Sequence, residues 1–308
     1  MTSHRNTWDI RAIQLDLARQ PETPRYIRSL IDFLHQQGYN TLILYLEGRV
    51  KTPSFSFMRR PDFYTPDDIR RLVDYAAKKK MQTIPVVSMF GHADIFLECP
   101  ELEPLAELRG ARQGRFSSHK HVFCPSEPRT LAFLEQYVTE VSQLFESQYF
   151  HAGFDEVWDI GYCDVCRARL KKETPADLFE KHLLACHHII TKKLGKEMIM
   201  WDDMFDIYPE AMKALPRDTI MCVWQYDSHV EAPSGHCGGP RQDKLRDYEK
   251  LGYRTLFAPA AFSIRNVESF SNYASTRSTL GGLLTTWELE RSFLYGDYAS
   301  VILAGRLW

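Results

Sequence analysis

Short apolar, β-branched or aromatic runs alternate along this chain with longer stretches of helical period. The runs are AIQLDL (12–17), TLILYL (41–46), TIPVVSMF (83–90), YFHAGF (149–154), EMIMW (197–201), IMCVW (220–224), TLFAPA (255–260) and LLTTW (283–287). Each is mostly apolar and bounded by turn residues or charge, the pattern of strands buried on both faces. Between them, RYIRSLIDFLHQQG (25–38) places Ile27, Leu30, Ile31 and Leu34 on one helical face and stops at Gly38, a C-cap. TPDDIRRLVDYAAKKK (65–80) opens with a Thr cap, Pro and two acids and closes in three lysines, matching the helix dipole at both ends. Segments 126–145, 176–195 and 244–252 have the same period, and FLYGDYASVILAGRLW (293–308) closes the series. With no internal repeat and no Pro/Gly/Ser linker, the pattern predicts one α/β domain over 1–308, a single (β/α)₈ TIM barrel. A doubly wound open sheet would want a Gly-rich turn after its first strand, and LDLARQPETP has none.

Composition narrows the partners. Lys and Arg number 38 against 40 Asp and Glu, a net charge of −2, so neither nucleic acid nor an anionic membrane is called for. No apolar stretch reaches the roughly 20 residues of a membrane helix, and MTSHRNTWDIRAIQL shows no secretory pattern. Seven cysteines, an odd number, are therefore expected as reduced thiols in a cytoplasmic protein. Cys163 and Cys166 form a C-x-x-C that His187 or His188 could complete as a zinc site, but no second ligand pair stands at zinc-finger spacing. The expectation is no metal and no other cofactor. Aromatic residues in the closing segment leave a homodimer open, although a barrel's last helix ordinarily turns such residues inward.

A barrel does its chemistry at the C-terminal ends of its strands, and polar residues collect there. Asp16 ends the first run, Glu47 follows the second and His92 the third; Asp155 and Glu156 follow the fourth. Asp202 and Asp203 follow the fifth, Tyr226 and Asp227 the sixth, and Trp287 with Glu288 the eighth. In FHAGFDEVW (150–158) two adjacent acids among aromatic and small residues suit a cavity floor; read as strand, neighbouring side chains would diverge and take different tasks. Trp201, Trp224 and Trp287 each close a strand beside acids or a Tyr. Any one of them could be ordinary core. Together with carboxylates they suit a sugar, stacking on the apolar face of a pyranose ring while carboxylates hold its hydroxyls.

The segment His151-Ala-Gly-Phe-Asp155-Glu156 resembles the H-x-G-x-D-E motif of the family 20 glycoside hydrolases, the β-N-acetylhexosaminidases. The likeness extends through FGH (90–92), CPSEP (124–128), WDD (201–203), WQYD (224–227) and GGLLTTW (281–287), and is greatest to that family's hexosaminidase D branch. It implies an exo-acting enzyme that releases terminal β-linked N-acetylgalactosamine or N-acetylglucosamine, the substrate's own acetamido oxygen acting as nucleophile, with net retention. Glu156 would be general acid and base, and Asp155 would accept the acetamide N–H. Tyr226 would donate to the acetamido oxygen, with Trp201, Trp224 and Trp287 as walls. Arg11, five residues before Asp16, would hold the sugar's 3- and 4-hydroxyls; His92 and His151 would support the carboxylates, and Asp202, Asp227 and Glu288 would contact substrate. Departures are YLEGR (45–49) in the second strand and Leu289 where an acid is common. Still open are a two-carboxylate retaining glycosidase, a carbohydrate-binding barrel that has lost catalysis, and a hydrolase barrel of another kind. A metal-dependent amidohydrolase would carry H-x-H after its first strand, which is absent.

Overall fold

A computed structural model describes residues 8–58, 60–110, 114, 121–230, 243–287 and 298–308. Eight parallel strands close into a barrel in sequence order: β1 (Ile10–Asp16), β2 (Thr41–Tyr45), β3 (Gln82–Val86), β4 (Tyr149–His151), β5 (Glu197–Trp201), β6 (Ile220–Trp224), β7 (Arg254–Ala258) and β8 (Gly281–Leu284). Their residues are almost all buried, because the barrel interior covers one face and the helices the other. Closure depends on Gly281, which sits at φ 146° opposite Ile10; a Cβ there would lie 1.8 Å from the Ile10 carbonyl oxygen. Gln14 and Thr286 then exchange side-chain-to-backbone hydrogen bonds across the same seam.

The outer ring contains α1 (Pro24–Gln37), α2 (Pro66–Lys78), α3 (Asp94–Leu97), α4 (Pro128–Ser142), α5 (Asp164–Arg169), α6 (Pro175–His188), α7 (Lys244–Lys250), α8 (Ile264–Ala274) and α9 (Tyr298–Leu307). Local chemistry sets their ends. Thr23 caps α1 and Gly38, at φ 96°, returns its N–H to Leu34 and His35. Thr65 and Asp68 form a reciprocal capping box on α2, and Thr174 and Asp177 do so on α6. The segment expected as one helix over 176–195 leaves α geometry after His188 for a π-helical turn, Ile189–Lys193. Trp308 is buried and stacks edge-on against Trp8, Tyr39 and Phe257. Among the described residues no helix is long and apolar enough to cross a membrane.

Several strands end before the apolar runs that announced them, and the shortfalls of β3 and β4 build the mouth of the barrel. β3 stops at Val86 and β4 at His151. Beyond them the backbone turns left-handed at His92 (φ 51°), Phe154 (φ 78°) and Glu156 (φ 50°), and Glu47 after β2 does the same (φ 47°). Non-glycine residues rarely adopt this conformation, which costs about 1 kcal/mol each. Among the described residues only Lys80, at the end of α2, shares it. The strain gathers where the polar residues are.

Candidate active site

A cavity of about 210 Å³ opens at the C-terminal ends of the strands, lined by Arg19, His92, Asp155, Glu156, Trp201, Trp224, Tyr226 and Trp287. Seven of these are residues the sequence singled out for the site. The floor is the pair Asp155–Glu156. The divergence expected of strand neighbours is not what the structure has: the ladder ends at His151, the backbone turns left-handed at Phe154 and Glu156, and both carboxylates reach the same imidazole. The neighbouring turn after β3 packs directly on this one: a Cβ at Gly91 would stand 2.3 Å from the Asp155 carbonyl oxygen.

One imidazole joins the two acids. His92 Nε2 lies 3.1 Å from Glu156 Oε2 and 3.3 Å from Asp155 Oδ2, while Nδ1 faces the Arg19 guanidinium at 3.2 Å. Burial opposes a charge on this ring, but Asp155, the Glu156 hydrogen bond and Glu47 outweigh it and push its pKa up to about 9. Arg19 works the other way: its guanidinium, facing Nδ1, disfavours a second proton there and lowers the pKa.

Asp155 is only 6% exposed, and burial raises its carboxyl to about 6; His92 pulls it down, while the charges of Asp203 and Glu156 push it up. Its Oδ1 is buried without a hydrogen-bond partner in the protein. A buried carboxylate oxygen left in that state is costly and calls for a donor from a ligand. Glu156 is far more open, its side chain 40% exposed. Its backbone N–H donates to Asp203 Oδ2 at 2.9 Å, and the Trp224 indole N–H donates to Asp203 Oδ1 at 3.2 Å. Asp203, fully buried, therefore anchors both the acid's backbone and one wall.

The walls are aromatic. Trp201 and Trp287 lie 6.0 Å apart between ring centres, Trp224 and Tyr226 4.9 Å, and Tyr45 meets Trp287 edge-on. The Trp287 indole donates to Tyr226 Oη at 2.7 Å, and the phenol also bonds the Thr285 hydroxyl. Burial holds that phenol well above its ordinary pKa, so it stays protonated.

Four of the sequence assignments fall elsewhere. Arg11 is at the opposite end of the barrel: five strand residues before Asp16 amount to about 17 Å, and its guanidinium donates to the Gly38 and Trp8 carbonyls. Arg19, overlooked because it lies in the loop past β1, is the arginine in the cavity. It pairs with Asp16 at 2.9 Å and lies over the Trp287 ring, 5.2 Å from its centre. His151 is buried behind Trp201, 4.7 Å between ring centres, and burial drops its pKa to about 3, so it is neutral. Asp202 is buried too, accepting from Tyr248 Oη of α7 at 3.2 Å. Asp227 does not line the cavity; its carbonyl accepts from the Asn266 amide of α8. Glu288 lies outside the described residues. Neither suggested partner of the C-x-x-C approaches it: His187 pairs with Asp218 at 2.7 Å, and His188 follows on the same helix.

A TIM barrel whose mouth combines adjacent carboxylates, a shared imidazole and a tryptophan-walled cavity is that of a glycoside hydrolase. The chain belongs to glycosyl hydrolase family 20, whose catalytic-domain model matches residues 8–236. Hexosaminidase D of Bos taurus is 25% identical over 261 residues, covering 82% of this chain and 71% of the relative. Hexosaminidase D of Homo sapiens is 23% identical over 263 residues, covering 83% of this chain and 51% of the relative. Among solved structures, the family 20 exo-β-N-acetylglucosaminidase of Vibrio harveyi, in complex with N-acetylglucosamine, superposes with a TM-score of 0.78 at 18% identity; the match covers 98% of this chain and 54% of that one. This chain thus spans about half the length of the human and Vibrio proteins.

Proposed function

We propose that this chain is an exo-acting β-N-acetylhexosaminidase, releasing terminal non-reducing β-linked N-acetylgalactosamine or N-acetylglucosamine from a small glycan or glycoconjugate, and that residues 1–308 serve as one catalytic domain. The observation that carries the reading is Asp155 Oδ1, a buried carboxylate oxygen without a protein partner at the floor of a cavity the size of one sugar ring. An acetamide N–H is the donor that satisfies it. The acetamido oxygen then faces the anomeric carbon and attacks it, giving an oxazolinium ion whose positive charge Asp155 offsets. Tyr226 donates to that same oxygen and steers it. Glu156, the more open acid, protonates the departing glycosidic oxygen and afterwards takes the proton of the attacking water, so two inversions give net retention. Trp201, Trp224 and Trp287 hold the ring's apolar face, and Arg19 takes the hydroxyl-binding part first assigned to Arg11.

The rival two-carboxylate mechanism needs acids flanking the scissile bond from opposite sides. Among the described residues lining the cavity the only acids are Asp155 and Glu156, and both lean on His92. The six described cysteines are all free thiols, which favours a cytoplasmic setting. The deciding experiment compares aryl β-N-acetylglucosaminide, β-N-acetylgalactosaminide, β-glucoside and β-galactoside, with the anomer of the first-formed sugar read by NMR. Cleavage confined to the acetamido sugars, with β product, supports the reading. Appreciable cleavage of a plain β-galactoside, or an α product, refutes it.

A further inference from the structure

Outside the sugar cavity, four side chains that hydrolysis does not use converge on one point. Glu107 and Cys124 come from the segment between α3 and α4, Cys163 caps α5, and Cys166 lies in its first turn. All four are buried, none more than 2% exposed. Their donor atoms lie within 4.8 Å of one another. Cys124 Sγ is 3.3 Å from Cys163 Sγ and 3.7 Å from Cys166 Sγ, and Cys166 Sγ is 3.2 Å from Glu107 Oε2.

These spacings are far beyond the roughly 2.05 Å of a disulfide. They approach the edge of a tetrahedron around zinc, where bonds of about 2.3 Å put sulfur atoms roughly 3.8 Å apart. The carboxylate is already oriented for such a role. Its Oε1 accepts three backbone N–H groups, from Gly161 at 3.0 Å, Tyr162 at 2.6 Å and Cys163 at 2.9 Å, which leaves Oε2 turned to the thiols. Cys163 Sγ accepts the Cys166 N–H at 3.2 Å, a bond that also stabilises a metal-bound thiolate. Arg169 reaches Ser126 Oγ, which touches Cys166 Sγ, and so brings a cation to the rim.

We propose that Glu107, Cys124, Cys163 and Cys166 form a closed tetrahedral site for a structural divalent metal ion of the zinc class. Three sulfur donors select against magnesium and calcium, and four protein ligands in a buried site leave no position for a substrate water. Binding exchanges three thiol protons for the ion; the carboxylate coordinates as it stands. The ion would tie the segment following His92 to the one that begins seven residues beyond Glu156. It would thereby clamp together the two loops that carry the left-handed residues of the mouth.

The test reads metal rather than turnover, so it stands or falls independently of the proposed hydrolysis. The full chain is expressed in zinc-supplemented cells, purified under reducing conditions without chelator, and its metal content measured by mass spectrometry. One zinc per chain is expected, and replacement by cobalt should give thiolate-to-metal charge transfer in the near ultraviolet with the intense visible bands of a tetrahedral centre. Cys163→Ser with Cys166→Ser should abolish both signals, whereas Cys99→Ser keeps them. Should the double variant fold poorly, Glu107→Gln, close in shape, should bind zinc roughly tenfold or more weakly. Zinc well below one per chain, a cobalt complex without sulfur charge transfer, or a Cys124–Cys163 disulfide in the freshly reduced and purified protein would each overturn the proposal.

Discussion

Replacing Asp155 with Asn should stabilise the fold while disabling the enzyme. The buried carboxyl rises from the ordinary 3.8 to about 6, chiefly because burial disfavours its charge. At 1.36 kcal/mol per pKa unit this corresponds to roughly 3 kcal/mol that the folded state forgoes by holding Asp155 ionised. A raised carboxyl pKa makes its contribution to stability greatest below pH 3.8, and that contribution is lost as pH climbs through 6. Asn is neutral throughout. The variant should therefore match the wild type near pH 3.5, diverge between pH 4 and 6, and hold an advantage of up to about 3 kcal/mol above pH 7. That figure is already net of the attraction to His92, 3.3 Å away. For a chain of this size the expected rise in Tm is on the order of 5 °C. Scanning fluorimetry across pH gives the curve, and turnover of an acetamido sugar, expected to fall roughly 100- to 1000-fold, gives the functional cost. An intact variant that melts below the wild type at pH 7 would mean the His92 pairing outweighs burial, and the account of the floor would be wrong.

Glu156→Gln should lower turnover of a poor leaving group by roughly a hundredfold or more, and much less for an activated aryl group; equal losses would remove Glu156 as the acid. Arg19→Ala should raise KM for the acetamido sugar several-fold whereas Arg11→Ala leaves kcat/KM unchanged, and the reverse order in steady-state kinetics would restore Arg11 to the site. Because ionised Asp155 is the working form, kcat/KM should fall on the acid side near pH 6; Asp203→Asn removes a neighbouring negative charge, so its acid limb should move to lower pH, and a shift upward contradicts the electrostatics. Gly281→Ala drives a Cβ against the Ile10 carbonyl and should cost roughly 3 kcal/mol or more, seen as a lowered Tm or loss of soluble protein.

Strand order and class were legible because a parallel barrel buries each strand on both sides, so TLILY and IMCVW appear as unbroken apolar runs. Helix α8 escaped notice for a related reason: Asn266 and Ser271 are buried in its inner face, so polar letters interrupt its apolar stripe. Asn266 is there to bind the Ala260 N–H and the Gln225 and Asp227 carbonyls. Within the site, tryptophans and acids just past strand ends could be read because strand direction fixes the working end of a barrel. Arg11 could not be placed from motif spacing alone, since a strand position also fixes depth. The four-ligand cluster was half visible as C-x-x-C; Cys124 and Glu107 lie 39 and 56 residues before Cys163, a separation that only the tertiary fold closes.

The seam between β1 and β8 also imposes an order on biosynthesis. Gln14 finds its partner in Thr286, 272 residues later. At roughly 5–20 residues per second a ribosome takes about 15 to 50 s to make the intervening chain. Throughout that interval the outer edge of β1 has no strand to pair with, and each newly made strand presents a fresh open edge. The emerging polypeptide is a growing sheet with two sticky borders, which invites chaperones and neighbouring nascent chains alike. The border vanishes when GGLL clears the exit tunnel, so the last strand of the barrel turns an aggregation-prone sheet into one without edges.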